Sequence, residues 1–173
     1  EWFASNGSEL EIINLGGGLG IDYDDPEKPA QFENYFRLVN EYIKLRPGQE
    51  MHIEPGRSLV GQCGSLISEV LFIKKGSKTV FAIIDAGMTD LIRPALYQAH
   101  HKIENLTSTG SELWYDVVGP VCESTDTFAK HIKLPETRRG DIIAIRSAGA
   151  YGESMASRYN MRDLPGSVFS DEI

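Results

Sequence analysis

The 173-residue chain carries 17 Lys and Arg against 25 Asp and Glu, a formal net charge of −8 at pH 7. That balance argues against nonspecific nucleic-acid binding, which needs a basic surface, but leaves room for a local pocket for a small anion. An apolar fraction of 41 % supports a real core, in one domain or two small ones.

In chain order, Leu10–Leu15 (LEIINL) reads as a buried strand. The loop Gly16-Gly17-Gly18-Leu19-Gly20 follows it. A helix is expected over Pro29–Arg46, with Phe32, Tyr35, Phe36, Val39 and Ile43 on one face and Pro47-Gly48 as its stop. Met51–Glu54 is a second short strand, so the first part is strand–loop–helix–strand, a parallel βαβ unit. Beyond Arg57 the pattern turns to β. Ser65–Lys74 and Lys78–Asp85 form a hairpin about Lys75-Gly76-Ser77. Met88–His101 is partly helical or irregular, and Leu113–Val118 and Ile142–Arg146 are further strands. The fold class is therefore α/β plus β, with a boundary near Val60.

A lone βαβ unit leaves strand edges and faces uncovered. The chain also begins at Glu1 without an initiator Met. A piece of a longer protein is expected. No basic-then-apolar leader and no run long enough for a membrane span is visible, which points to a cytoplasmic protein with reduced Cys63 and Cys122.

Five motifs could carry chemistry. The glycines at 16–18 free the backbone to turn N–H groups toward an anion, although a tight structural turn explains them equally well. Glu54-Pro55-Gly56-Arg57 ends the second strand, where an arginine can hold a phosphate or carboxylate and a glutamate can face a protonated ring nitrogen. Arg93 and Tyr97 are four apart, so one helical turn would set them side by side, either to bind a carboxylate or, equally well from the spacing, as an exposed arginine packed on a tyrosine. Cys122-Glu123 sits in a loop. A neighbouring carboxylate disfavours the thiolate, which suits a proton donor better than a nucleophile. Tyr151 lies among small residues in Ser147–Gly152, as if something packs closely against it. His52, His100, His101 and His131 show no metal-ligand spacing and read as structural or surface residues, so no metal site is expected.

Taken together and in order, GGGLG, EPGR, DAGM…RPALY, GPVCES and AGAYG…SMASRYN closely resemble the diaminopimelate decarboxylase family. These are pyridoxal-phosphate enzymes of the alanine-racemase-like fold, and the resemblance runs from Leu15 to Arg162. It implies that residues 1–60 are the last units of a (β/α)8 barrel and that 61–173 form a mostly antiparallel β domain. It implies decarboxylation of meso-2,6-diaminopimelate to L-lysine. Gly16, Gly17, Gly18, Glu54, Pro55, Gly56, Arg57 and Tyr151 would hold pyridoxal 5'-phosphate. Arg57, Arg93, Tyr97, Glu123 and Tyr151 would contact substrate, and Cys122 would donate the proton. The family is homodimeric, and Cys122 and Glu123 would reach a partner subunit's site.

One departure matters. The family's cofactor lysine lies on an early barrel strand, and none of the eight lysines here sits in such a motif. This chain alone is expected neither to hold the cofactor covalently nor to decarboxylate. Alternatives within the fold are enzymes of carboxynorspermidine, ornithine or arginine. From another class, a non-catalytic relative could bind a partner enzyme.

Overall fold

The computed structural model describes residues Trp2–Glu172, and Glu1 and Ile173 lie outside the described residues. After a single helical turn α1 (Trp2–Ser5), strand β1 (Ile12–Asn14) runs parallel to β2 (Glu50–His52), with Ile13 opposite Met51. Helix α2 (Phe32–Tyr42) connects them. It is shorter than the apolar pattern predicts. Gln31 sits at ψ 58, outside the helical region, and Ile43 is already extended at φ −106, ψ 118. No residue of α2 is fully buried. Phe32, Tyr35 and Phe36 instead close over Gly16, Gly17, Ile53 and Pro55, so the helix packs on the strand ends and the glycine loop.

A short helix α3 (Arg57–Val60) and a 3₁₀ turn at Gly61–Cys63 lead into a six-stranded sheet. Its strands are β3 (Leu66–Lys75), β4 (Val80–Ile84), β5 (Ile103–Asn105), β6 (Glu112–Val118), β7 (Thr127–Pro135) and β8 (Ile142–Ile145). Their spatial order is β5-β8-β3-β4-β6-β7. The hairpin at Lys75-Gly76-Ser77 forms as expected, closed by Gly76 N–H donating to Thr79 O at 2.8 Å. All neighbouring pairs are antiparallel except β4–β6. A parallel pair needs a long crossover. Residues 85–111 supply it, with helix α4 (Arg93–Tyr97) and β5 inside it.

The core sits within this sheet. Val70, Ala82, Ile84, Tyr115, Val117, Phe128, Leu134, Ile143 and Ile145 form one buried cluster, with Leu91 from the crossover. Each fully buried aliphatic side chain there contributes about 1.5–3 kcal/mol. The sheet curls until its edges nearly meet, and Asn105 on β5 donates to Thr137 Oγ1, just past β7, at 3.0 Å. Strand β7 escapes a reading by alternation because a bulge breaks its phase. Ala129 pairs with Val117 and Ile132 with Tyr115, so Lys130 and His131 together face Asp116. His131 takes φ +52 there, and its N–H donates to Asp116 Oδ1 at 2.7 Å.

Candidate functional site

The glycine loop and the end of β2 are stitched together by side chain and backbone. Asn14 Oδ1 accepts Gly16 N–H at 2.7 Å, Asn14 Nδ2 donates to Glu54 Oε1 at 2.7 Å, and Glu54 N–H donates to Gly16 O at 2.7 Å. A Cβ on Gly17 would lie 2.6 Å from Glu54 O, so what crowds this loop is the neighbouring strand end. Gly16 and Gly18 take φ +67 and +96, in the left-handed region that glycine alone enters cheaply. The Gly16 N–H is thus spent on Asn14. The Gly17 and Gly18 N–H groups have no hydrogen-bond partner among the described residues. Space above Gly16 and Gly18 is open. Two unpaired N–H groups beside open space are what an anionic oxygen needs.

Glu54-Pro55-Gly56-Arg57 continues from β2, but Arg57 opens helix α3 rather than ending in a loop. Its Nε is buried and has no hydrogen-bond partner among the described residues. A buried guanidinium N–H left unpaired is costly, and an anionic ligand would relieve it. The Ser147–Gly152 segment clasps this helix. A Gly149 side chain would clash with Val60 O, and Ala150 lies beside Gly61 together with the Arg57 stem. Tyr151, at φ +67, brings its hydroxyl within 3.1 Å of the point where a Gly56 Cβ would stand. The expected cofactor residues Gly16–Gly18, Glu54–Arg57 and Tyr151 are therefore neighbours.

Arg93 and Tyr97 share helix α4 yet are not partners, contrary to the expectation from their spacing. Arg93 is 5 % exposed and Tyr97 is 61 % exposed. The Arg93 guanidinium turns inward, donating through Nη1 to Tyr23 Oη at 2.7 Å and to His101 Nε2 at 3.1 Å. His101 Nδ1 lies 2.9 Å from Arg146 O, which can only accept. Nδ1 therefore carries the hydrogen, and Nε2 is free to accept from Arg93. Burial, followed by the nearby Arg93 charge, lowers the His101 pKa to about 4. Tyr23 meets the His101 ring edge to face at 5.0 Å. Neither residue stood out in the sequence. Tyr23 lies in an acidic loop, and His101 lacks any ligand spacing.

Cys122 and Glu123 occupy the turn between β6 and β7. Cys122 and Cys63 are both exposed free thiols. The turn is wound around the buried carboxylate of Asp126, which accepts Val121 N–H at Oδ2 (2.7 Å) and Met88 N–H at Oδ1 (2.6 Å). Its oxygens fill the space where a Gly119 side chain would be and crowd Gly87. Burial raises the Asp126 pKa above the ordinary carboxylate value, and its two backbone donors oppose that. Glu123 Oε1 accepts the Tyr159 hydroxyl at 2.8 Å. Between them opens a cleft of about 290 Å³, walled also by Met88, Thr89 and Ile92. Among the described residues, no hydrogen bond or ion pair joins Cys122 or Glu123 to Gly16–Gly18 or Glu54–Arg57. Asp126 and Tyr159 were not singled out in the sequence. A turn-type Asp after Ser124-Thr125 was the only signal for the first, and the second lies in the SMASRYN motif without a role of its own there.

Among the described residues, no helix is long and apolar enough to cross a membrane. Residues 13–149 match the family described as pyridoxal-dependent decarboxylase, C-terminal sheet domain. A diaminopimelate decarboxylase of Bacteroides thetaiotaomicron is 60 % identical over 95 % of this chain and 43 % of its own length. One from Helicobacter pylori is 46 % identical over 90 % of this chain and 38 % of its own length. The chain so spans about two fifths of the length of the curated relatives it matches. The solved structure of the Helicobacter pylori diaminopimelate decarboxylase complexed with L-lysine superposes with a TM-score of 0.81 at 41 % identity, over 94 % of this chain and 40 % of that one. The Methanocaldococcus jannaschii enzyme in complex with L-lysine gives 0.79 at 37 %, over 95 % and 39 %.

Proposed function

Because this chain belongs to the pyridoxal-dependent decarboxylase family, whose C-terminal sheet domain it carries, we propose that it is the C-terminal part of a diaminopimelate decarboxylase. Residues 1–60 are the last units of a (β/α)8 barrel, and 61–173 are the β domain. The full-length enzyme is a cytoplasmic homodimer that converts meso-2,6-diaminopimelate to L-lysine and carbon dioxide. The observation that carries this reading is the clustering of the unpaired Gly17 and Gly18 N–H groups, Glu54 and the unpartnered Arg57 Nε beside Tyr151.

These residues fit pyridoxal 5'-phosphate. Gly17 and Gly18 would hold the phosphate through backbone N–H, and Gly16 shapes the turn. Pro55 and Gly56 line the ring, and the absence of a side chain at Gly56 makes room for the Tyr151 hydroxyl. Glu54, with Oε1 fixed by Asn14, would face the ring nitrogen and favour its protonated form. When bound, the cofactor supplies the electron sink for the bond to carbon dioxide.

The remaining steps belong to this chain's side chains. Arg57 and Tyr151 hold the substrate beside the cofactor. Arg93, whose Nη1 is held by Tyr23 and His101, binds the carboxylate at the far end of the substrate through its other guanidinium nitrogens, with Tyr97 exposed on the same helix. Glu123 binds the ammonium beside that carboxylate. Cys122 delivers a proton to the carbon that has lost carbon dioxide. Cys122 and Glu123 serve the site of the partner subunit, as the family resemblance of the GPVCES motif implies. A cation and an anion for one amino-acid head favour diaminopimelate over ornithine, which has no distal carboxylate. Turnover of meso-diaminopimelate, carboxynorspermidine and ornithine by the full-length enzyme tests this. Lysine formation from diaminopimelate at the highest kcat/KM is expected, and a preference for either other substrate contradicts it.

A further inference from the structure

We infer that Tyr159 is a specificity-determining positioning residue, which aims the Glu123 carboxylate so that one of its oxygens is free for the distal ammonium of the substrate. This rests on the decarboxylase reading above and concerns a residue that reading does not use.

The pair is held from both sides by one short segment, Asp85–Asp90. On one side, Asp126 ties the Cys122–Glu123 turn to Met88 N–H. Two further backbone bonds tighten the turn, Asp126 N–H to Glu123 O at 3.1 Å and Glu123 N–H to Val121 O at 2.8 Å. On the other side, Arg162 staples the Tyr159 segment to the same place. Its Nε donates to Thr89 Oγ1 at 3.1 Å, its Nη2 donates to Asp85 O, and Nη2 lies 3.5 Å from Asp90 Oδ2. Ser157 N–H adds a bond to Thr89 O at 2.9 Å. Between these staples the backbone kinks, with Asn160 at φ +53 and Met161 at φ +59. The phenol is thereby set by its neighbours although it stands in solvent.

The chemistry of the contact is directional. A carboxylate can only accept, so Tyr159 donates to Oε1. Hydrogen bonding to Glu123 raises the Tyr159 pKa above the ordinary phenol value, so the donor persists at neutral pH. Oε2 has no partner among the described residues, and Glu123 borders the cleft. Met88 and Ile92 give that cleft apolar walls suited to a methylene chain. An ammonium on an aliphatic chain is the ligand chemistry that uses both features.

The test uses the full-length holoenzyme with Tyr159→Phe, which removes only the hydroxyl, and Glu123→Gln alongside. Tyr159→Phe is expected to raise KM for meso-diaminopimelate about tenfold, with a much smaller change in kcat. Inhibition by 2-aminopimelate, which keeps the distal carboxylate and lacks the distal amine, is expected to be unchanged. An unchanged KM overturns the inference. So does a weakening of 2-aminopimelate equal to the rise in KM, because that marks a general distortion. If Glu123→Gln raises KM and Tyr159→Phe does not, this inference alone fails. If the wild-type enzyme does not turn over diaminopimelate, the decarboxylase reading fails instead.

Discussion

Arg93 Nη1 lies 3.1 Å from His101 Nε2, and both side chains are almost wholly buried. The imidazole must be neutral to accept this bond. Its pKa is lowered from 6.5 to about 4, so below pH 6.5 the unfolded chain takes up a proton that the folded chain refuses. The contribution is full above pH 6.5, falls as the pH drops, and levels off near pH 4. The total is about 3 kcal/mol. In the full-length enzyme, His101→Gln should flatten the fall in unfolding midpoint between pH 6.5 and 4.5 seen by urea denaturation. An equal slope in wild type and variant would sink this account of the pair.

Asp126 gives a prediction about the opposite half-site. Asp126→Ala leaves Met88 and Val121 N–H groups unpaired, at a cost of about 1–3 kcal/mol each. Asp126→Asn keeps one acceptor oxygen and should recover part of that stability. Because the turn carries Cys122, both variants should lose kcat in proportion to the disorder of the turn. Thermal unfolding and turnover measured together check this, and full activity in a destabilised Asp126→Ala enzyme would contradict it.

The glycine loop separates two kinds of damage. Gly17→Ala places a Cβ 2.6 Å from Glu54 O, a backbone atom that cannot swing away. Gly18→Ala meets no atom but must hold φ +96, at a strain of roughly 1–2 kcal/mol. Both should weaken cofactor retention, measured by dialysis and cofactor absorbance, with Gly17→Ala the worse. Equal retention in wild type and Gly17→Ala would argue against a cradle here.

Cys122 is exposed and unpaired, so its loss should leave the fold intact. Cys122→Ala is expected to cut kcat by about 100-fold or more, the scale of a positioned proton donor, with the unfolding midpoint unchanged. An unchanged rate removes Cys122 from the chemistry.

The parallel strand pair, the 75–77 hairpin and the β character after Val60 were legible because short apolar runs and turn residues are local signals. Strand β7 was not, because the bulge at Lys130–His131 puts its apolar residues out of phase. The site was legible as motifs and not as partnerships. The spacing of Arg93 and Tyr97 predicts a pair, yet burial turned Arg93 toward Tyr23, 70 residues away, and toward His101. Likewise, nothing near Glu123 in the sequence points to Tyr159, 36 residues on. Contacts of that kind depend on the crossover and on the Arg162 staple, which only the folded sheet brings together.

That the two half-sites of one chain work in different catalytic centres is tested most directly by mixing two inactive full-length variants, Arg57→Ala and Cys122→Ala. Random reassociation makes half of the dimers mixed, and each mixed dimer holds one intact centre, so about a quarter of wild-type diaminopimelate turnover should return. If both damaged residues belonged to the centre of their own chain, every centre would stay defective, and mixing would restore nothing.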